Sequence, residues 1–163
     1  MESIPMESIP MESIPMALNP ISLNPTDYYE LTKYDNKTSK FTLNGYKTYA
    51  KCVSVYDGDT IHVVFKMSET NNYHRWIIRM SGIDTPEIRT KNTAEKNKAI
   101  EVRDYLRNKI LDKIIILECL DFDKYGRLLG NIFIINENIT LNQQLINNGM
   151  AKIYNGGTKE DWE

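Results

Sequence analysis

The stretch KTYAKCVSVYDGDTIHVVFKM, residues 47–67, decides the fold. Two runs rich in β-branched and aromatic residues flank Asp57-Gly58-Asp59, and Asp-Gly between such runs signals a β-hairpin. Downstream, NNYHRWIIRM (71–80) reads as a third strand, with Trp76, Ile78 and Met80 alternating against Ile77 and Arg79. A loop rich in turn residues, SGIDTPEIRTKN (81–92), separates it from TAEKNKAIEVRDYLRNKIL (93–111). There Ala99, Val102, Leu106 and Ile110 fall on one face at helical spacing. Asn92 followed by Glu95 forms the pattern of a capping box at its start. Beyond the helix, KIIILECL (113–120) reads as a buried strand, DFDKYG (121–126) as a turn and RLLGNIFII (127–135) as another strand. Thr140 with Gln143 then caps a short helix, LNQQLINN, which stops at Gly149.

Three strands, a helix, two strands and a helix make an α+β chain. Five strands with a helix after the third is the order of an OB-type β-barrel, an architecture that commonly binds nucleic acids and sugars. The barrel by itself assigns no activity.

Upstream the texture differs. Residues 1–15 are three copies of Met-Glu-Ser-Ile-Pro, and five of the six prolines lie before residue 26. A five-residue period is too short for a solenoid unit. Residues 1–46 are therefore expected to be a largely disordered leader, and residues 47–163 the folded domain. The leader carries three lysines and six carboxylates; the remainder carries 17 Lys/Arg and 16 Asp/Glu. A net charge of −2 excludes a polyanion binder that works by bulk basicity. If several carboxylates hold a cation, the rest of the surface is more basic than the sum suggests. Cys52 and Cys119 sit inside apolar runs and read as reduced core thiols. No apolar run has the ~20 residues of a membrane span, and the N-terminus lacks a secretory pattern. An intracellular, monomeric protein is expected.

Four motifs carry the candidate chemistry: Asp57-Gly58-Asp59-Thr60, Arg79, Asp84-Thr85-Pro86-Glu87 and Asp123-Lys124-Tyr125-Gly126-Arg127. Alone, each has a plain structural reading: a hairpin turn, a strand residue facing solvent, an extended loop and a charged hairpin tip. Together they are more specific. Clustered carboxylates stay ionised only beside a compensating cation. Hard oxygen ligands select calcium, magnesium or manganese, and His62 and His74 have no zinc-ligand spacing. Carboxylates with arginines, and no cysteine–histidine dyad, suit attack by water on a phosphodiester, whose transition state planar guanidiniums stabilise.

From about Lys47 to Lys152 the chain resembles the staphylococcal nuclease (thermonuclease) family. DGDT, Arg79 five residues before Asp84 in RMSGIDTPE, DKYGR and LINNGMAK stand in the family's order. The resemblance implies a calcium-dependent endonuclease that cuts DNA or RNA and leaves 3′-phosphates. It implies that Asp59 and Asp84 ligate calcium through carboxylates and Thr85 through its carbonyl. Glu87 would orient or deprotonate the attacking water, and Arg79 and Arg127 would hold the phosphate. Lys124 and Tyr125 would contact substrate, and Asp57 would support the site from behind. Some family domains survive as binding modules without these residues; here the whole set is present. Past Lys152 the likeness fades, and IYNGGTKEDWE leaves no room for a long final helix, so a shortened C-terminus is expected.

Overall fold

A computed structural model describes residues 24–162. They fall into two compact units, one ending at Lys40 and the other starting at Phe41. The first contains helix α1 (Pro25–Leu31), inside the stretch expected to be a leader. Its start has a local cause. Asn24 Oδ1 accepts from Thr26 N at 3.0 Å, and Pro25 sits in the first turn, where a missing N–H costs nothing. The Met-Glu-Ser-Ile-Pro repeats lie outside the described residues.

The second unit is built on strands β1 (Lys47–Val55), β2 (Thr60–Lys66) and β3 (Tyr73–Met80), then the short β4 (Ile83–Asp84). Helix α2 (Thr93–Ile110) follows, then β5 (Ile114–Phe122), β6 (Leu128–Phe133), helix α3 (Leu141–Asn147) and the short β7 (Lys152–Ile153). The five long strands close a barrel in the order β1-β2-β3-β6-β5, with β5 returning to β1. This is the α+β barrel that the element order implied, and no long final helix follows α3 within the described residues.

Antiparallel ladders form every seam but one. β3 and β6 run parallel through Ile78↔Leu128, Arg79↔Leu129 and Met80↔Gly130. Gly130 also packs closely against β5 on its other side. A Cβ there would lie 2.8 Å from Leu117 Cδ1 and 3.3 Å from the Glu118 carbonyl oxygen, and the backbone atom cannot swing aside. Ile61, Ile78, Met80, Leu117 and Ile132 fill the interior, all essentially without solvent contact. Helix α2 buries Ala99, Val102, Leu106 and Ile110, the four residues whose spacing defined its apolar face. Cys52 and Cys119 are buried free thiols, and burial pushes both up to about 11.

The cap of α2 differs from the reciprocal box. Asn92 Oδ1 accepts from Ala94 N and Glu95 N, as expected. Glu95 Oε1, however, accepts from Glu87 N at 3.1 Å and not from Asn92 N. The helix start is thereby tied to the preceding loop.

Asn142 is the polar keystone of the α3 side. Its Nδ2 donates to the Ser81 carbonyl at 2.9 Å and the Gly130 carbonyl at 3.2 Å, while its Oδ1 accepts from Ile132 N at 3.1 Å. Removing it strands buried backbone groups, each costing about 1–3 kcal/mol when left unpaired. Asn142→Ala is expected to lower the unfolding free energy by about 2 kcal/mol or more, read from urea denaturation. A loss below about 0.5 kcal/mol would show that water replaces the side chain.

Candidate active site

Four pieces of chain meet at one rim of the barrel: the β1–β2 turn, the end of β3 with β4 and its following loop, the β5–β6 turn, and the segment after β7. The β1–β2 turn is seated by Gly58. A Cβ at that position would lie 2.7 Å from Thr85 Oγ1 and 2.8 Å from Val102 Cγ1. Only glycine lets the turn pack this closely against the Asp84-Thr85 loop and α2. Asp59 then joins the end of β3 through its carbonyl, which accepts from Met80 N at 2.8 Å.

Arg79, Asp59 and Asp84 are brought together. Arg79 pairs with Thr60 across β2 and β3, so strand alternation places it on the outer face of the sheet. It is nonetheless buried, at 8% exposure, because it is enclosed by its partners. Its NH1 donates to the Met80 carbonyl at 2.8 Å, and its NH2 lies 3.0 Å from Asp59 Oδ2 and 3.7 Å from Asp84 Oδ1. Asp84 and Thr85 are buried as well.

Burial is the largest influence on Asp59 and pushes its carboxyl up to about 6. Arg79 opposes that rise, Asp57 adds to it by like charge, and hydrogen bonds from Thr60 and Thr85 oppose it. Asp57 half-faces the cavity, and its Oδ1 accepts from Asp59 N at 3.3 Å.

The β5–β6 turn is organised by Asp123. Its Oδ1 accepts from Tyr125 N and Arg127 N, each at 2.9 Å, and its Oδ2 takes Arg127 Nε at 2.7 Å. Burial pushes the Asp123 carboxyl up, but these bonds outweigh it and hold the group below the usual carboxylate range. The terminal nitrogens of Arg127 make no hydrogen bond among the described residues. The Tyr125 ring lies 5.0 Å from Lys124 Nζ and 5.5 Å from the Arg127 guanidinium carbon. Together with Asp57, Asp59, Arg79 and Glu87, this turn lines a cavity of about 660 Å³.

Glu87 stands apart from the carboxylate pair, on an exposed loop. Between it and Asp84 lies a residue the sequence pattern did not flag. Lys159 Nζ is 2.8 Å from Asp84 Oδ1 and 2.6 Å from Glu87 Oε1. Burial works against the charge on Lys159. The contacts with Asp84 and Glu87 outweigh it and hold the ammonium above the usual lysine range. Trp162, three residues on, is buried and brings its indole Nε1 to 3.4 Å from Asp84 Oδ2. The residues after β7 thus complete the rim.

Among the described residues, no three acidic, histidine or cysteine side chains converge closely enough to hold a metal. The donor chemistry still fits a hard cation. Asp59 and Asp84 are buried carboxylates on a shared guanidinium, the Thr85 backbone adjoins them, and Asp84 Oδ1 receives no well-directed hydrogen bond despite its ion pairs. One guanidinium leaves the Asp59 carboxyl well above its ordinary value, so a further positive charge at this place is favoured.

Residues 77–162 match the family model described as staphylococcal nuclease homologue. The chain belongs to that family. Over 149 residues it is 32% identical to an uncharacterized protein of Methanocaldococcus jannaschii, covering 78% of this chain and 69% of that protein. It is 32% identical over 104 residues to a thermonuclease of Staphylococcus hyicus, covering 63% of this chain and 57% of the relative. A probable endonuclease of Komagataella phaffii is 24% identical over 135 residues, covering 71% of this chain and 59% of the relative. The chain thus spans somewhat over half the length of the two nuclease-named relatives. No helix among the described residues is long and apolar enough to cross a membrane.

The raised Asp59 carboxyl sets a pH dependence in the absence of divalent cations. A group whose folded pKa exceeds its unfolded value stabilises below the unfolded value, and that contribution is lost as pH rises through the folded one. Between about pH 4 and 6 Asp59 therefore lowers stability progressively. The stability difference between wild type and Asp59→Asn, from urea unfolding in chelator, is expected to shift in favour of the variant across that window. A pH-independent difference would show that Asp59 keeps its ordinary pKa.

Proposed function

We propose that the chain is a calcium-dependent phosphodiesterase acting as an endonuclease on DNA, RNA or both, by water attack at phosphorus, with 3′-phosphate products. The observation that carries this reading is the meeting of buried Asp59 and Asp84 on Arg79, where Asp59 and Arg79 line a cavity whose other walls present Glu87, Lys124, Tyr125 and Arg127. Two carboxylates alone would repel a phosphodiester. Two guanidiniums and a cation at the same place attract it.

Asp59, Asp84 and the Thr85 carbonyl would hold calcium, which supplies positive charge beside the scissile phosphate and polarises a water. Glu87, anchored through its backbone to Glu95, orients or deprotonates the attacking water. Arg127, fixed at Nε by Asp123, has its terminal nitrogens for two equatorial phosphate oxygens, a bidentate match of planar groups. Arg79 supplies charge from the barrel side of the cavity. Such preorganised donors act where negative charge grows during in-line attack, and they need no reorganisation at that moment. Tyr125 and Lys124 contact the sugar or phosphate, and Asp57 supports the β1–β2 turn. The same reading takes residues 1–46 as a leader, 47–163 as the catalytic domain, and a monomer inside the cell as the working form.

The deciding experiment incubates the purified chain with DNA and with RNA, with and without calcium, and identifies the terminal phosphate. Cleavage is expected only with calcium, with phosphate on the 3′ ends. Undiminished cleavage in chelator, or 5′-phosphate products, would sink the mechanism. Arg79→Ala and Arg127→Ala are each expected to lower kcat by about 10²-fold or more, the scale for losing one preorganised donor. Turnover near the wild-type value would remove that residue from the transition state.

A further inference from the structure

Strand alternation puts Arg79 on the same outer face of β3 as Ile77, Arg75 and Tyr73, opposite to core-facing Ile78 and Met80. That face leaves the active site as an open track. Ile77 is 46% exposed and Tyr73 71% exposed. Register extends the face across the sheet. Ile77 lies opposite His62, Arg75 opposite Val64 and Tyr73 opposite Lys66, while Val64 in turn faces Lys51 on β1. Tyr49, two residues along β1 from Lys51, is 68% exposed.

The charge on this face has one sign. Outward positions of β1, β2 and β3 carry Lys47, Lys51, Lys66 and Arg75 and no carboxylate. None of these four cations forms an ion pair among the described residues. Glu69 in the β2–β3 turn and Asp112 before β5 lie at the edges of this face. Glu118 on β5 stands opposite Lys47 in register and accepts from Asn131 Nδ2 at 3.0 Å, which leaves Lys51, Lys66 and Arg75 away from any acid on the neighbouring strand. Four of the chain's 20 Lys/Arg thus stand on outward positions of three neighbouring strands that carry no carboxylate. Between them lies a groove of about 510 Å³ bordered by Tyr49, Lys51, Lys66, Tyr73 and Ile114.

We propose that this face is a second, non-catalytic binding track for single-stranded nucleic acid, which holds the polymer while Arg79 and its neighbours act on one phosphodiester. The proposal rests on the nuclease reading and names the form of substrate. Six residues of strand separate Tyr73 from Arg79, about 20 Å, or roughly six stacked nucleotides at ~3.4 Å each. That length falls within the ~4–16 nucleotides that one barrel of this type covers. Tyr49 and Tyr73 are the stacking platforms, and a base must be free of its complement to lie on them. Lys51, Lys66 and Arg75 are the phosphate contacts. A duplex, with its bases already stacked inside, has no use for the tyrosines.

Binding in chelator tests the track without catalysis. The full chain is titrated with a labelled twelve-nucleotide oligothymidylate and with the dinucleotide, which only the cavity needs to accommodate. Lys51→Gln/Lys66→Gln/Arg75→Gln is expected to weaken the twelve-mer about tenfold or more and leave the dinucleotide unchanged. It should also flatten the dependence of log affinity on log salt by about 2, at ~0.7 per lost contact to a single strand. Tyr49→Ala/Tyr73→Ala is expected to weaken the twelve-mer about tenfold or more at an unchanged salt slope. Because these side chains are exposed, circular dichroism and Tm should match wild type. Unchanged twelve-mer affinity in both variants overturns the proposal, as does an equal loss for the dinucleotide or tighter wild-type binding to a duplex. Phosphatidylserine vesicles that lose binding in the variants while the oligonucleotide keeps it would assign the face to lipid and overturn it too. A chain that binds through the track but cuts nothing with calcium sinks the nuclease reading alone; one that cuts, with variants binding normally, sinks the track alone.

Discussion

Asp59 and Asp84 lie buried against the guanidinium of Arg79, with Lys159 as a second cation on Asp84, and the surrounding structure is arranged around this cluster of charge. Each ion in such a place has lost most of its water, a cost of several kcal/mol per group that only close partners offset. Gly58 presses the β1–β2 turn onto Thr85, and Asp59 joins Met80 through the backbone. Lys159 and Trp162 then close over Asp84 from the far end of the chain. The barrel can be regarded as the frame that forces two carboxylates into proximity. The positive groups Arg79 and Lys159 stand around them as its response.

Much of the fold was legible because it is periodic. The hairpin around Asp57-Gly58, the alternation of β3 and the four-residue apolar face of α2 are local patterns with geometric causes. The parallel β3–β6 seam was not legible. It joins residues about fifty apart in sequence, and Gly130 within it looks like any small residue in a strand until Leu117 and the Glu118 carbonyl of β5 stand against it. Asn142 likewise reads as one more polar residue of a short helix, and only the tertiary fold shows that it bonds Ile132 N and the Ser81 and Gly130 carbonyls.

The site divides in the same way. Asp59, Asp84, Arg79 and the Asp123–Arg127 turn were flagged by composition and order. Alternation gave Arg79 its face, while its burial came from partners that a strand pattern does not contain. Lys159 and Trp162 sit in a short polar ending without periodicity, so no sequence signal tied them to Asp84. Within the Asp123–Arg127 turn the stapling role of Asp123 emerged only from the structure: its side chain accepts from backbone donors two and four residues on, with Gly126 at positive φ.

The closure of the rim by Trp162 bears on the moment in synthesis at which the rim is complete. Ribosomes add about 5–20 residues per second, so roughly 4–16 s separate the appearance of Asp84 from that of Trp162. During that interval β5, β6 and the closing segment are still being made, and the carboxylate pair has neither its barrel nor its cover. Placing the last pieces of the rim near residue 160 delays assembly of the centre until nearly all of the described domain has been made.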